Sequence, residues 1–362
     1  FRKSPLEIMV MNKLSLPFWQ GKRVLVTGHT GFKGCWLTLW LQRLGAEVTG
    51  VALASNTHPN LFTLANVSNN LKSYECDIRD AYKVSRAIQK SKPEIVFHLA
   101  AQSLVRASYR DPLATYATNI QGTANVLDSL RGLEQARVVV AITTDKVYRN
   151  LEQPYPYRET DHLGGHDPYS ASKAAAELVV ASYRDAFLEE QGVAVATARA
   201  GNVIGGGDWA EDRLLPDAAR AWSAGQPLYI RRPESVRPWQ HVLEPLSAYM
   251  RLAEQLYVEP QKAGAYNFGP LPHDAATVED VITQACKSFG SGEIEWGDGR
   301  AGPHEANWLA LETAKARTIL GIEPNWELVQ AVDYTMNWYR RQLAGESAQA
   351  LCLENITAYE SQ

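Results

Sequence analysis

The chain has 362 residues, with 36 Lys plus Arg against 40 Asp plus Glu and a formal net charge of −4. At about 150 residues per domain, this length suggests two domains, or one large domain with a smaller partner, and 45% hydrophobic with 21% charged residues is a globular rather than a disordered composition. The slightly acidic balance gives no electrostatic case for a nucleic-acid partner, and no apolar run approaches the roughly 18 residues needed to cross a bilayer.

Cys35, Cys76, Cys286 and Cys352 lie far apart with no CxxC spacing. That argues against a disulfide framework or a zinc site and for a reducing compartment. The apolar stretch Ile8, Met9, Val10, Met11 is too short for a signal-peptide core, and roughly the first ten residues are set aside from the fold. A cytoplasmic protein without a membrane partner is expected.

In chain order, Arg23 to Thr27 is a compact β-branched run ending in Gly28. Cys35 to Leu44 reads as a helix closed by Gly45, a residue type favoured just past helix ends. Glu47–Leu53, Glu94–Ala100, Val138–Ile142 and Val193–Arg199 are further apolar strand candidates. Continuous apolar runs of this kind suit strands buried on both faces of a parallel sheet. Helical stretches separate them at Ala81–Lys90, Pro112–Leu130 and Tyr169–Glu190. Alternating strands and helices predict an α/β fold, a Rossmann-type doubly wound parallel sheet. After about residue 200 the pattern changes. Gly201 to Gly207 holds four glycines, and Pro216, Pro227, Pro233, Pro238 and Pro245 punctuate the next stretch of chain. A smaller, mixed C-terminal substrate-binding domain is expected there.

Three motifs carry chemistry. Thr27-Gly28-His29-Thr30-Gly31-Phe32-Lys33-Gly34 comes after a predicted strand and opens a predicted helix. In that setting glycines let the backbone approach a pyrophosphate at the positive end of a helix. From Val51 to Leu71 there is no charged residue, taking His58 as neutral. A 2′-phosphate would want a cation there and a free ribose diol an acid, so NADP is disfavoured and NAD lacks its usual contact. Asp77 could receive an adenine amino group, or simply be an acid at a helix N-terminus.

Tyr169 and Lys173 stand at i and i+4, on one helix face. A neighbouring ammonium is expected to lower the tyrosine pKa and make it a base for an alcohol proton. Thr144, Asp145 and Lys146 fall at the carboxyl end of a predicted strand, where open α/β sheets bind ligands. An acid and a possible base there exceed what alcohol oxidation needs; a solvated Asp-Lys pair is the plainer reading. His162 and His166 have a metal-like spacing, but Gly164-Gly165 between them argues against one helix holding both, so no metal is expected. Arg237 could clamp a phosphate bidentately or be an ordinary surface arginine.

In this order and spacing the motifs resemble the extended short-chain dehydrogenase/reductase family, from about Trp19 to about Tyr339. Within it the chain is similar to the nucleotide-sugar 4,6-dehydratases, because Asp145 follows Thr144. The branch acting on CDP-glucose is matched by Phe18-Trp19-Gln20-Gly21-Lys22, the TGHTGFKG loop, Thr144-Asp145-Lys146, Gly201 to Trp209, and Arg237-Pro238-Trp239-Gln240-His241. The resemblance implies an NAD-dependent lyase that oxidises C4 of the sugar, loses water across C5 and C6, and reduces C6. A dehydratase for another nucleotide-glucose, or an epimerase, is the alternative.

The resemblance further implies catalytic Thr144, Asp145, Lys146, Tyr169 and Lys173. It implies an NAD pocket of Gly28, Gly31, Phe32, Gly34, Asp77, Ile78, Leu99, Ala100, Ala101, Tyr169 and Lys173. Asn202, Arg237 and His241 match sugar-nucleotide positions. Residues 1–198, with a return segment near 239–270, would form the NAD-binding domain; 199–238 and 271–345 would bind the sugar nucleotide. A homodimer through a four-helix interface of about 112–131 and 168–190 is implied. Two departures stand out: Lys146 replaces the Glu that serves as C5 base in the dTDP-glucose enzymes, and Pro303-His304-Glu305-Ala306-Asn307 lacks their arginine. Lys146 fits either a base of depressed pKa or an enolate stabiliser.

Overall fold

A computed structural model describes residues 14–153, 155–271, 275–298 and 309–362. The apolar stretch Ile8 to Met11 and the segment Pro303 to Asn307 lie outside the described residues.

Seven parallel strands form the central sheet: β1 (Arg23–Thr27), β2 (Glu47–Ala52), β3 (Lys72–Glu75), β4 (Ile95–His98), β5 (Val138–Ile142), β6 (Ala194–Ala200) and β7 (Gly264–Phe268). Their spatial order is β7-β6-β5-β4-β1-β2-β3. The chain winds outward from β1 through β2 to β3, then crosses back to β4 on the other side of β1. The crevice where that order reverses is where doubly wound sheets hold ligands. β4, β5 and β6 are buried along their whole length, as their unbroken apolar runs require.

The predicted Rossmann-type sheet is therefore the observed one, with several differences. β3 and β7 have no clear sequence signal: β3 is polar and largely exposed (Lys-Ser-Tyr-Glu). The predicted helix at Cys35 starts earlier, as helix α1 (Phe32–Arg43). The two long predicted helices are interrupted by turns with wider i→i+5 bonding, at Ala117–Gln121 and at Arg184–Leu188. The second of them contains helix α2 (Pro168–Tyr183).

α1 carries Trp36, Leu37, Trp40 and Leu41, all buried, so it has no solvent face. A helix apolar all round must be covered on both sides. The sheet lies on one side and the C-terminal helix Ala348–Glu360 packs on the other. Trp40 Nε1 donates to Glu360 Oε1 at 2.8 Å, and Arg43 pairs with the same carboxylate.

Beyond β6 the chain forms short paired strands. Asn202–Ile204 runs parallel to Trp239–His241, Val236–Arg237 antiparallel to Ala276–Thr277, and Leu228–Ile230 parallel to Ile294–Trp296. The first of these continues directly from the carboxyl end of β6 and brings Gly201 beside Asp145, just past the end of β5.

Candidate active site

The loop after β1 is shaped by contacts that only glycine tolerates. Gly28 has φ +77, and a Cβ on it would lie 2.8 Å from the Ala100 nitrogen. A Cβ on Gly34 would lie 2.1 Å from the Gly28 carbonyl oxygen. α1 thus presses directly onto its own loop, and its first-turn N–H groups end at the sheet crevice, as helix N-termini leave them. The ring of Phe32, at the start of α1, reaches the chain after β6: a Cβ on Gly205 would meet it at 3.0 Å.

Beneath the cradle runs a buried chain of hydrogen bonds. Ala100 N–H donates to Thr27 Oγ1 at 3.1 Å, and Thr27 Oγ1 meets His98 Nδ1 at 2.7 Å. His98 Nε2 meets Thr123 Oγ1 at 2.9 Å, and Thr123 donates to the Asn119 carbonyl. Since Thr123 gives its proton to Asn119, the network assigns the proton of a neutral His98 to Nε2. Burial lowers the His98 pKa to about 3, in agreement. Leu99, Ala100 and Ala101 therefore leave β4 on a rigid base. Asp77 is at the end of β3 and is gripped bidentately by Arg79, with its shortest contact at 2.6 Å. The Arg79 hydrogen bonds hold its carboxyl below the usual range. Ile78 is buried against Gly122, and its carbonyl is taken by Asn125 at 2.9 Å.

Tyr169, Lys173, Thr144 and Asp145 come together at the carboxyl end of β5. Asp167 caps α2, accepting from Ser170 N–H at 3.0 Å, and Pro168 occupies the first helical position. This sets Tyr169 and Lys173 on the first two turns. Tyr169 hydrogen-bonds the Thr144 hydroxyl. Thr144 also donates to Asp145 Oδ1 at 2.9 Å and caps the short turn Asp145–Val147. Asp145 is 1% exposed, and its Oδ2 has no hydrogen-bond partner among the described residues. That oxygen lies where a Cβ on Gly201 would approach it to 3.2 Å, with Pro238 alongside. Lys146 Nζ is 4.0 Å from Asp145 Oδ1, and its side chain is 33% exposed.

One expectation is overturned. Tyr169 does not have a lowered pKa. Burial pushes it up to about 12, opposed by the Thr144 hydrogen bond and by Arg213. The Lys173 ammonium instead donates to the Ile142 carbonyl at 3.1 Å, and burial lowers its own pKa to about 8. Desolvation of two buried groups outweighs their proximity.

His241 is more deeply placed than a substrate contact at a pocket surface would be. It is fully buried and its ring packs against Trp36 and Trp326. The pairing of Trp239–His241 with Asn202–Ile204 buries this segment, and His241 Nε2 has no hydrogen-bond partner among the described residues. Asn202 stands half-buried on the partner strand, and half-buried Arg237 donates to the Val236 carbonyl at 2.8 Å.

Sequence reasoning also missed charged groups around the site. Lys33, half-buried in the glycine loop, has its pKa lowered to about 8 by desolvation, with Arg213 and Lys173 adding to the effect and Asp145 and Asp208 opposing it. Asp208 is buried, which raises its pKa, and Arg213 counters that. These residues are distant in sequence, and only the return of the chain after β6 brings them together. Among the described residues, no group of three or more His, Cys, Asp or Glu could hold a metal ion, and no helix is long and apolar enough to cross a membrane.

A family profile described as GDP-mannose 4,6 dehydratase matches residues 25–335. The chain is 46% identical over 350 residues to the CDP-glucose 4,6-dehydratase of Salmonella typhimurium, covering 95% of this chain and 98% of that one. In fold it is similar to UDP-glucose 4-epimerase from Thermotoga maritima, at TM-score 0.76 and 24% identity over 88% of this chain and 99% of that one. It is also similar to dTDP-glucose 4,6-dehydratase from Bacillus anthracis in complex with NAD, at TM-score 0.73 and 22% identity over 89% and 97%. The cradle after β1, the Tyr169–Thr144–Asp145 constellation and these matches agree: the chain belongs to the GDP-mannose 4,6-dehydratase family, the nucleotide-sugar dehydratases of the extended short-chain dehydrogenase/reductases.

Proposed function

We propose that this chain is an NAD-dependent lyase converting CDP-glucose to CDP-4-dehydro-6-deoxyglucose and water. The observation that carries the dehydratase reading is Asp145. A buried carboxyl with one oxygen held by Thr144 and the other unengaged is an acid beside the Tyr169 base. Epimerisation at C4 needs no such acid. The choice of CDP-glucose is supported by the relative at 46% identity.

The cradle of Gly28, Gly31 and Gly34 at the N-terminus of α1 fits a dinucleotide diphosphate, because Gly28 and Gly34 let the loop pack onto Ala100 and onto the start of α1 where a side chain would clash, and that close packing lets backbone and helix N-terminus approach a diphosphate. Phe32, Leu99, Ala100 and Ala101 border that space; Asp77 and Ile78 lie toward the end of β3, on the adenine side. When bound, NAD supplies the two-electron store that lets C4 be oxidised and C6 reduced within one turnover. Tyr169 takes the proton of the C4 hydroxyl, and the Thr144 hydrogen bond eases its ionisation against burial. A ketone at C4 acidifies C5. Asp145 then gives its proton to the departing C6 hydroxyl. Lys146, a cation 4.0 Å from Asp145, stabilises the enolate while the C5 proton leaves to solvent, and a solvent proton returns to C5 when C6 is reduced. Lys173 orients the nicotinamide ribose, and Asn202 and Arg237 hold the sugar nucleotide.

The domain division accords with this reading: residues 1–198 with the return through β7 for NAD, and 199–238 with 271–345 for the sugar nucleotide. The reaction belongs in the cytoplasm, where NAD and nucleotide sugars meet. A homodimer is also part of it. Leu113 is 78% and Leu178 64% exposed, and Tyr116 and Phe187 lie open on the same two helical stretches. Large apolar groups gathered on packed helices suit a four-helix interface. Leu178→Glu is expected to give monomers by sedimentation velocity, whereas an unchanged dimer would move the interface elsewhere.

Incubation with NAD and CDP-glucose, followed by mass spectrometry, tests the function. Loss of one water from CDP-glucose is expected. Turnover of dTDP-, GDP- or UDP-glucose instead would keep the mechanism and discard the cytidine.

A further inference from the structure

Glu177 stands one turn beyond Lys173 on α2 and is 4% exposed. Its carboxylate accepts four hydrogen bonds. Thr143 Oγ1 and Arg199 Nε donate to Oε1 at 2.5 and 2.9 Å; Thr197 Oγ1 and Arg199 Nη2 donate to Oε2 at 2.7 and 2.8 Å. Arg199, 3% exposed, gives its remaining Nη1 to the Tyr148 hydroxyl at 2.8 Å and to the Glu159 carbonyl at 3.3 Å. Tyr148 in turn donates to Asn267 Oδ1 at 2.7 Å.

Thr143 and Tyr148 are the two residues that flank Thr144-Asp145-Lys146-Val147. Both ends of the catalytic turn are thus tied to one buried ion pair, whose acid rides on the helix of Tyr169 and Lys173. Glu177 reaches Lys173 by charge, raising its pKa against burial, but its four hydrogen bonds come from Thr143, Thr197 and Arg199. Glu177, Arg199 and Thr197 border a groove of about 1060 Å³ at the N-terminal ends of β6 and β7, and none of Thr144, Asp145, Lys146, Tyr169 and Lys173 lines it. Stability alone does not account for the arrangement, since a buried ion pair is often replaceable by apolar groups of similar volume without loss. A saturated polar network does fix geometry.

We propose that Glu177 and Arg199 are positioning residues for dehydration: through Thr143 and Tyr148 they clamp the Thr144–Asp145 turn against the Tyr169 helix, so that base and acid meet the same sugar. This rests on the dehydratase reading above. Small misplacements of reacting groups are costly, reaching about 100-fold for 1 Å.

The test uses Thr143→Val, Thr143→Ser, Tyr148→Phe and the double variant Thr143→Val/Tyr148→Phe, which leave the ion pair itself intact. Steady-state kinetics with CDP-glucose are recorded beside thermal unfolding. Thr143→Val and Tyr148→Phe each lower kcat about tenfold with KM within about twofold, and Thr143→Ser restores it. The double variant loses far less than the product of the single losses, because both release the same turn. A Thr143→Val kcat within about twofold of the parent, an equal loss in Thr143→Ser, multiplicative losses, or a drop in thermal stability without a drop in kcat overturns the proposal. A parent protein that does not dehydrate CDP-glucose overturns the dehydratase reading, and the clamp with it.

Discussion

Two carboxylates packed around β5 sit in opposite states. Asp145, at the carboxyl end of the strand, has one oxygen bonded to Thr144 and one without a partner among the described residues. Glu177, on α2 and bonded to Thr143 just past the same strand, accepts four hydrogen bonds. Both are almost wholly buried. An unmet buried oxygen is a cost to the fold, and here it falls on the group proposed to give a proton to substrate. A saturated one is inert and serves as an anchor. The difference separates what reacts from what holds.

The largest effect should come from breaking the reactive side. Asp145→Asn keeps the shape and the Thr144 contact but removes the transferable proton. Water loss should fall about 1,000-fold, while the C4 ketone still forms and is trapped by borodeuteride as deuterium at C4. Near-normal water loss would remove Asp145 from the elimination.

Thr144→Val tests the next layer. The Thr144 hydrogen bond is the main influence opposing the burial that raises the Tyr169 pKa to about 12. Without it the pKa rises further. Less phenolate is then available at a given pH, so the acidic limb of kcat/KM moves to higher pH, and activity near neutrality falls about tenfold. A limb that stays in place would mean that Thr144 does not tune the base.

The smallest effect sharpens the anchor side. Glu244, on helix α3 (Leu243–Val258), accepts from Asn325 and Trp326 N–H at 3.0 and 2.6 Å and from the Tyr359 hydroxyl at 2.8 Å. Unlike Asp145 it is saturated, yet burial raises its pKa from 4.5 to about 7. A carboxyl whose folded pKa exceeds its unfolded value stabilises at low pH and loses that contribution as pH rises through about 7. Glu244→Gln should therefore flatten the decline in unfolding free energy between pH 4.5 and 7, by about 1–3 kcal/mol. An unchanged pH slope from urea unfolding would show that another group titrates.

The reactive side is the more legible in sequence. Gly28, Gly31 and Gly34 after a strand, Thr144 and Asp145 at a strand end, and Tyr169 with Lys173 at i and i+4 are local patterns, each fixed by backbone geometry within a few residues. The anchor side is not legible. Glu177 and Arg199 are 22 residues apart, and the pairing of α2 with β6 joins them without any local signal. Lys33, Asp208 and Arg213 escape for the same reason. The Tyr169 pKa runs against its spacing from Lys173, because spacing shows proximity but not desolvation. The depth of His241 is not legible either, because the burial of its strand depends on the partner at Asn202–Ile204. β3 escapes because an edge strand open to water carries no apolar run.

The central claim is that oxidation at C4, elimination across C5 and C6, and reduction at C6 occur on one sugar in one site. CDP-glucose carrying deuterium at C4 tests this most directly, with NAD added and the product read by NMR and mass spectrometry. Loss of one water and deuterium at C6 are expected. Deuterium retained at C4 with no water lost would contradict the claim and make the chain an epimerase.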